Sequence, residues 1–356
     1  MDKNKERSAN VELLRIVAMF LIVLSHFATH GRFIFVDNQI TTNYLFVNLI
    51  KMGGKIGVNI FLLISGYFLV KSNFKLSKAI KLYLQILSYS VILSIIMLLC
   101  KKMTLSYENI INYLFPLSHG VWWFATTYFI MYLLVPYLNK LLNSLSKEEY
   151  KKLIITTTIL FSIIPTIFVS AYVSNLTWFI ALYCLGGYIQ LHGLKIENMS
   201  SIRILLMSLT IVLVNFGGFV LIKIGLINNV LDEFSPTTFY DMYRIPILVI
   251  SLLLFLYFKK IKVSHATLVN TIASTTFGIY LIHDYPLIRV LIWDIGFRNS
   301  QFTENAYLPL IAICETLIVF IVCSAIELIR RKTIEPIYMN IIEKKYPNNM
   351  QTKQAS

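Results

Sequence analysis

The sequence predicts an all-α protein that crosses a membrane about ten times, and three observations support this prediction. First, 57% of the 356 residues are hydrophobic and only 14% are charged, whereas soluble domains have about 45–50% apolar and about 25% charged residues. Second, long apolar runs without alternation, such as 204–214 and 247–258, favour helices over barrel strands. Third, the basic residues are distributed unevenly among the connecting segments.

Ten segments are long and apolar enough, or nearly so, to cross about 30 Å of hydrocarbon as helices. They cover residues 12–30, 53–70, 82–100, 121–138, 153–171, 176–191, 203–222, 240–258, 268–291 and 306–329. We therefore predict one membrane-embedded domain over residues 1–346 and a disordered tail over 347–356. No cleavable signal peptide is expected, because the first apolar run contains Arg15 and His26.

The charge distribution predicts the orientation of the chain in the bilayer. In the ten-span arrangement, 22 of the 32 Lys and Arg residues lie on the side that holds both termini, and 7 lie on the other side. The positive-inside rule then places both termini in the cytoplasm. We expect a multi-pass protein of the cell membrane. The net charge of +14 is spread over short clusters rather than one face, so no nucleic-acid partner is predicted.

Two polar side chains stand out in the first predicted span. Arg15 and His26 are eleven positions apart, which is three helical turns plus about 20° and about 16 Å along the axis. They therefore share one face of the helix. An imidazole that faces the inside of a bundle is a candidate general base. The alternative is that Arg15 extends to cytoplasmic headgroups and His26 hydrogen-bonds to a neighbouring helix.

Four stretches of the sequence resemble a known membrane family. They are NVELLR followed by SHF at residues 10–27, GVNIFLLISGY at 57–67, WWF at 122–124 and FGIYLIH at 277–283. On these stretches the chain resembles the integral-membrane acyltransferase family 3, whose first helix carries an Arg and a His separated by ten residues. The resemblance extends from about residue 10 to about residue 330.

The resemblance implies an enzyme that transfers an acyl group, commonly acetyl, from cytoplasmic acyl-CoA to a hydroxyl of a cell-envelope glycan or a lipid-linked sugar. It implies that Arg15 and His26 carry the reaction and that acyl-CoA is a donor substrate rather than a permanently bound cofactor. The family often has an Arg after its second span, where this chain has Lys78 or Lys81. A lysine still binds phosphate but lacks the bidentate guanidinium. Arg15, Lys78 and Lys81 are thus the candidates for binding the CoA phosphates.

Further polar residues in the predicted spans each have two possible roles. Glu315 lies near the middle of span ten, where a carboxylate is protonated, paired or close to water; it either orients His26 and lines the cavity or makes a structural pair. His283 and Asp284 are adjacent, so on a continuous helix they point about 100° apart and only one of them faces a shared cavity. Their alternative role is an interhelical hydrogen bond or an interfacial position.

Four residues are candidates for binding the acceptor: His283 and three residues near the predicted outer boundary. Trp122 and Trp123 either stack on a sugar or belong to the interfacial aromatic belt. Arg244 either forms an ion pair with Asp241, one turn away, or contributes to the acceptor site. No spacing typical of metal ligands is apparent, and no bound metal is predicted.

Two other classes of function compete with an acyltransferase. A transporter or exporter of glycans or lipid-linked sugars would also need polar residues inside a helical bundle. The sequence has no inverted repeat of short, Gly- or Pro-broken helices, which several transporter folds have. A membrane scaffold without catalytic activity would give no reason for the shared face of Arg15 and His26.

Overall fold

The computed structural model describes residues 9–169, 172–231 and 235–345, and in these ranges every regular element is helical. The predicted all-α class is confirmed. The predicted tail at 347–356 lies outside the described residues. The α-helices are α1 (Ala9–His30), α2 (Thr42–Leu69), α3 (Leu76–Leu99), α4 (Tyr107–Leu114), α5 (Trp123–Ser144), α6 (Lys147–Thr158), α7 (Ile164–Phe168), α8 (Asn175–His192), α9 (Ser201–Ile227), α10 (Ile245–Lys260), α11 (Ala266–Ala273), α12 (Thr276–His283), α13 (Pro286–Val290), α14 (Leu308–Thr333) and α15 (Glu335–Lys345).

Seven helical segments of the described chain are long and apolar enough to cross a membrane. They are Ala9–His30, Thr42–Leu69, Leu76–Leu99, Lys147–Phe168, Ser201–Ile227, Thr238–Lys260 and Leu308–Ile341. Each coincides with a predicted span, so the protein is an all-α, multi-pass membrane protein. The other three predicted spans coincide with α5, α8 and the segment from α11 to α13. The total of ten spans and the cytoplasmic termini stay predictions.

Helix α2 begins at Thr42, eleven residues before the predicted span at 53–70. The Thr41 side chain accepts a hydrogen bond from the Tyr44 backbone N–H and caps the helix. The Asn43 amide donates to the carbonyl oxygens of Thr303 and Asn305, at 2.9 Å each. Because these polar residues make hydrogen bonds at the start of α2, the helix extends beyond the apolar run that begins at residue 53. The start of the apolar run therefore does not mark the start of the helix.

Close packing against α2 fixes the position of α1. A Cβ atom on Gly57 would lie 2.6 Å from the Ala18 carbonyl oxygen, and one on Gly54 would lie 2.5 Å from Ser25 Oγ. Both distances are shorter than van der Waals contact, so only glycine permits this approach. The face of α1 that carries Ser25 and His26 is thereby held against the middle of α2.

The predicted span at 268–291 is not one helix, because the chain breaks twice. The first break separates α11 from α12 at Ser274 and Thr275, whose hydroxyls donate to the carbonyl oxygens of Thr271 and Ile272. The second break follows His283, where Pro286, which has no backbone N–H, starts α13. The short helix α12 and its two ends therefore lie inside the bundle, next to α1 and α14.

Candidate active site

A cavity of about 260 Å³ lies between α1, α2, α5 and the segment from α12 to α13. Its polar and aromatic lining includes His26, His30, Lys55, Trp123, Asp284 and Arg289. We call it the histidine cavity. His26 and His30 lie one turn apart on α1, and their ring centroids are 5.2 Å apart. The sequence therefore places two imidazoles on the wall of one chamber.

A chain of hydrogen bonds defines which nitrogen of His26 carries its proton. His283 Nδ1 lies 2.6 Å from the Ile279 carbonyl oxygen, which can only accept, so this nitrogen is the donor. In a neutral His283, Nε2 is then an acceptor. His26 Nδ1 lies 2.9 Å from that nitrogen and therefore donates to it. The lone pair of His26 is left on Nε2, which is the nitrogen able to take a proton.

Asp284 lines the histidine cavity and His283 does not, which agrees with the expectation that only one of these two residues faces a shared cavity. Asp284 Oδ1 lies 3.6 Å from His26 Nδ1. The α12 helix ends at His283, and Asp284 follows it as the C-cap residue. The Arg289 guanidinium lies 3.3 Å from the same carboxylate oxygen. The predicted interhelical hydrogen bond of His283 is present, and its partner is His26.

The two adjacent tryptophans have different surroundings. Trp122 is 1% exposed and packs against Tyr285, with ring centroids 5.7 Å apart. Trp123 is 38% exposed and lines the histidine cavity, where Lys55 Nζ lies 5.7 Å from its ring centroid. Of the two predicted acceptor-binding tryptophans, only Trp123 borders the cavity. Trp122 belongs to the packed core.

A second cavity, of about 220 Å³, lies between α1, α3, α12 and α14, and we call it the charged cavity. It is lined by four basic side chains and three carboxylates: Arg15, Lys81, Arg330, Arg331, Glu12, Glu327 and Glu335. Ser274 and Thr276, at the start of α12, add hydroxyl groups to the same wall. The cavity therefore combines cations with hydrogen-bond donors, which is the chemistry that binds phosphate.

Three of the four cations in the charged cavity have carboxylate partners. Arg15 Nε lies 3.2 Å from Glu12 Oε2, and Lys81 pairs with Glu335. Arg330 donates to Glu327 at 2.7 and 2.9 Å and to Glu335 at 2.8 Å. Arg331 instead donates to the Ser274 hydroxyl, and within the described residues it has no carboxylate partner.

Phe277 lines both cavities and is the residue that they share. Arg15 lies on its charged side, and His26 lies on its histidine side. Although Arg15 and His26 share one face of α1, they therefore line two different cavities, which meet at the Phe277 side chain. Phe277 is the second residue of α12, so the break between α11 and α12 places it there.

Comparison with known protein families identifies the family of this chain. The family model described as an acyltransferase domain matches residues 8–328, which is most of the chain. The chain belongs to acyltransferase family 3. No curated protein and no solved structure matches it. The membrane acyltransferase predicted from the sequence is thus confirmed at the level of family and reaction class, and this result favours the enzyme over the transporter and the scaffold.

The two predicted lysines of the acyltransferase occupy different positions. Lys81 lines the charged cavity together with Arg15. Lys78 is exposed and is not among the residues that line it. The structure therefore brings Arg15 and Lys81 together at the predicted donor end and leaves Lys78 outside.

Glu315 and Arg244 lie away from both cavities. Glu315 is 6% exposed, and its Oε2 has no hydrogen-bond partner among the described residues. The side chains of His30, His283 and Asp284 contact His26. Glu315 does not line the histidine cavity, so it does not hold the position predicted for a residue that orients this histidine. Arg244 is 3% exposed, lies 3.8 Å from Asp241 and donates to the Pro165 carbonyl oxygen. The ion pair expected as its structural role is present.

Several residues of the two cavities were not predicted as site residues. His30 follows His26 by four positions, a spacing that signals a shared helix face. The sequence predicts no site role for Arg330, Arg331, Lys55 or Arg289. Of these, only His30 had a signal in the local spacing.

One group of ligating atoms in the acyltransferase has the geometry of a metal site. The nearest ligand atoms of His26, His30 and Asp284 lie within 4.8 Å of one another, and the two histidines have a spacing that metal sites on helices use. However, Lys55 and Arg289 line the same cavity, and Arg289 already pairs with Asp284. Two neighbouring cations oppose the binding of a third. The absence of a resident metal stays a prediction.

Proposed function

We propose that this membrane acyltransferase moves an acyl group, most simply acetyl, from cytoplasmic acyl-CoA to a hydroxyl of a cell-envelope glycan or a lipid-linked sugar. The observation that carries the proposal is the hydrogen-bond chain from the Ile279 carbonyl through His283 to His26. It leaves His26 Nε2 unprotonated beside a cavity that is large enough for the reacting groups. A positioned imidazole of this kind is suited to accept a proton from an attacking hydroxyl.

The reaction needs one base that also acts as an acid. The acceptor hydroxyl gives its proton to His26 Nε2 while its oxygen forms a bond to the thioester carbonyl carbon. The carbon–sulfur bond then breaks, and the leaving CoA sulfur takes the proton back from the imidazolium. Asp284, at 3.6 Å from His26 Nδ1, stabilises the imidazolium during this exchange. His283 keeps the ring in the orientation that presents Nε2.

The charged cavity supports the donor half of the proposal. The phosphates of CoA carry several negative charges, and this cavity offers Arg15, Lys81 and Arg331. An extended pantetheine arm has a length comparable to the separation of about 16 Å between Arg15 and His26 along α1. In our proposal the nucleotide binds at Arg15, and the arm passes Phe277 to bring the thioester to His26.

The orientation of the protein follows from the same arrangement. The residues of the charged cavity include Arg330 and Arg331, which belong to the basic clusters on the side of the termini. The positive-inside rule places that side in the cytoplasm, where acyl-CoA is present. We therefore propose that the protein lies in the cell membrane, takes its donor from the cytoplasm and acylates its acceptor from the opposite opening.

A transfer assay on purified protein tests the proposal. Full-length protein in lipid nanodiscs is mixed with radiolabelled acetyl-CoA and with envelope glycan from a strain in which the gene is deleted. We expect CoA release and label in the glycan to appear in equal amounts. Replacing the base in His26→Gln should reduce turnover by about 10²- to 10⁴-fold while acetyl-CoA still binds.

His192→Gln is the matched control, because His192 lies at the end of α8 and lines neither cavity. This variant should turn over at the wild-type rate. Wild-type turnover in His26→Gln would contradict the role of His26. Accumulation of glycan in sealed vesicles without CoA release would contradict the transferase reaction itself.

A further inference from the structure

Lys55 lies on the wall of the histidine cavity and has no counter-ion in the part of the chain that the structure describes. It lies near the middle of α2, is partly buried and faces the same cavity as His26. Its Nζ lies above the Trp123 ring, and within the described residues it makes no ion pair or hydrogen bond. A cation placed inside a membrane bundle is costly unless a partner or a ligand compensates it. The position of Lys55 therefore calls for a negative partner.

The charges of the other lining residues do not supply that partner. Asp284 is the only carboxylate among the described residues that line this cavity, and Arg289 is paired with it at 3.3 Å. With neutral histidines, Lys55, Arg289 and Asp284 give the cavity a net charge of +1. A ligand with one negative group would complete the ion pair of Lys55.

The donor is not the source of this negative group. In the proposed arrangement the CoA phosphates occupy the charged cavity, on the other side of Phe277. The pantetheine arm and an acetyl thioester, which reach the histidine cavity, carry no charge. The negative group must then come from the acceptor. Trp123, half-exposed beside Lys55, offers an apolar ring against which a sugar packs.

We infer that the acceptor carries a carboxylate or a phosphate close to the acylated hydroxyl, and that Lys55 binds this group beside Trp123. This inference rests on the proposed function and narrows its acceptor to anionic glycans. Two sources supply the same chemistry: an acidic sugar residue, such as a uronic acid, or the phosphate of a polyprenyl-linked sugar. Lys55 is a binding residue in this assignment and does not transfer a proton.

Matched acceptor pairs test the inference. The first pair is a glucuronic-acid-containing oligosaccharide and the same oligosaccharide with its carboxyl groups reduced to alcohols. The second pair is polyprenyl phosphate glucose and octyl glucoside. Wild-type protein should have a KM about tenfold lower for the anionic member of at least one pair, because a charge-assisted contact is lost in the neutral member. The pair that shows the preference identifies the source of the charge.

The variant Lys55→Met should remove this preference, so that the KM ratio within the pair falls to near one, whereas kcat for the anionic acceptor changes little. Lys51→Met is the matched control: Lys51 lies one turn earlier on α2, contacts Asn48 Oδ1 at 3.5 Å and does not line the cavity. It should retain the preference.

Three outcomes overturn the inference. One is equal KM values for both members of each pair in the wild-type protein. The second is an unchanged preference in Lys55→Met. The third is an equal loss of kcat for all four acceptors in Lys55→Met, which would assign Lys55 to the thioester oxyanion instead. Failure of the wild-type protein to acylate any acceptor, measured with confirmed acetyl-CoA binding, would contradict the proposed function itself and remove the basis of the inference.

Discussion

The charged cavity and the histidine cavity lie on the two sides of one phenylalanine, but they are built from different chemistry. The charged cavity is polar, and its cations and carboxylates are linked by ion pairs that include the buried Glu327 and Arg330. The histidine cavity is lined mainly by apolar and aromatic groups, with one carboxylate, two cations and two imidazoles. The difference separates the binding of a highly charged donor from the bond-making step.

This separation has a physical advantage. Phosphates are costly to remove from water, so a polar, ion-paired site is suited to bind them, whereas a base and a thioester react best where little water competes. An ion-paired network also keeps the basic side chains in place before the ligand arrives. The comparison predicts that changes in the histidine cavity affect turnover, whereas changes in the charged cavity affect the affinity for the donor.

After the loss of the base itself, the largest effect is expected at His283, which positions His26. In His283→Phe the acceptor of the His26 Nδ1–H bond is lost, so both the ring orientation and the location of its proton are no longer fixed. We expect kcat to fall about 100-fold, with little change in the KM for acetyl-CoA.

The conservative variant His283→Gln offers a carbonyl oxygen in a similar position and should recover part of the activity. A purely structural role for His283 would reduce the protein's thermal stability in both variants by similar amounts without this partial recovery. Equal kcat values in the two variants would contradict the positioning role.

An intermediate effect is expected at Arg331. Because Arg331 has no carboxylate partner among the described residues, its charge is available for a phosphate. Arg331→Met should raise the KM for acetyl-CoA about tenfold and leave kcat close to the wild-type value. The remaining affinity should depend less on salt concentration.

The lysines of α3 give a second comparison at the same end. Lys81→Met should weaken the binding of acetyl-CoA more than Lys78→Met, because only Lys81 lines the charged cavity. Lys140→Met, in a different basic cluster, serves as the control. A stronger effect of Lys78 than of Lys81 would show that the donor binds elsewhere.

The smallest effect is expected from removal of metal ions. The histidine cavity brings His26, His30 and Asp284 together, but Lys55 and Arg289 oppose a bound cation. Treatment with EDTA followed by dialysis should leave the transfer rate unchanged. A loss of activity that added Zn²⁺ restores would show that the cluster is a metal site and that His26 is a ligand rather than the base.

The sequence predicts the parts of the site that depend on one continuous helix. Arg15 and His26 are placed on one face of α1 by their spacing alone, and the apolar runs mark the helices of the membrane domain. Lys81 was also among the predicted residues, because basic residues after the second span were part of the family resemblance.

The sequence does not predict the parts that depend on breaks and on distant contacts. The ends of α12 are set by Ser274, Thr275 and Pro286, and these breaks place His283 and Asp284 at the end of a short helix inside the bundle. In the sequence, Arg330 and Arg331 look like basic residues that only mark the cytoplasmic end of a span. Their place in the charged cavity depends on the packing of α14 beside α1. Glu315 shows the reverse error. Its central position in an apolar span suggested that it orients His26, but it does not line the histidine cavity.

The side chain of Phe277 separates the charged cavity from the histidine cavity. In the proposed reaction this separation determines where each product leaves the enzyme. Spent CoA withdraws through the opening from which it entered, and the modified sugar departs through the opposite one. Neither product has to wait for the other to leave. In this reaction only the acyl group would pass from one side of the Phe277 side chain to the other, while CoA and the sugar each leave on their own side.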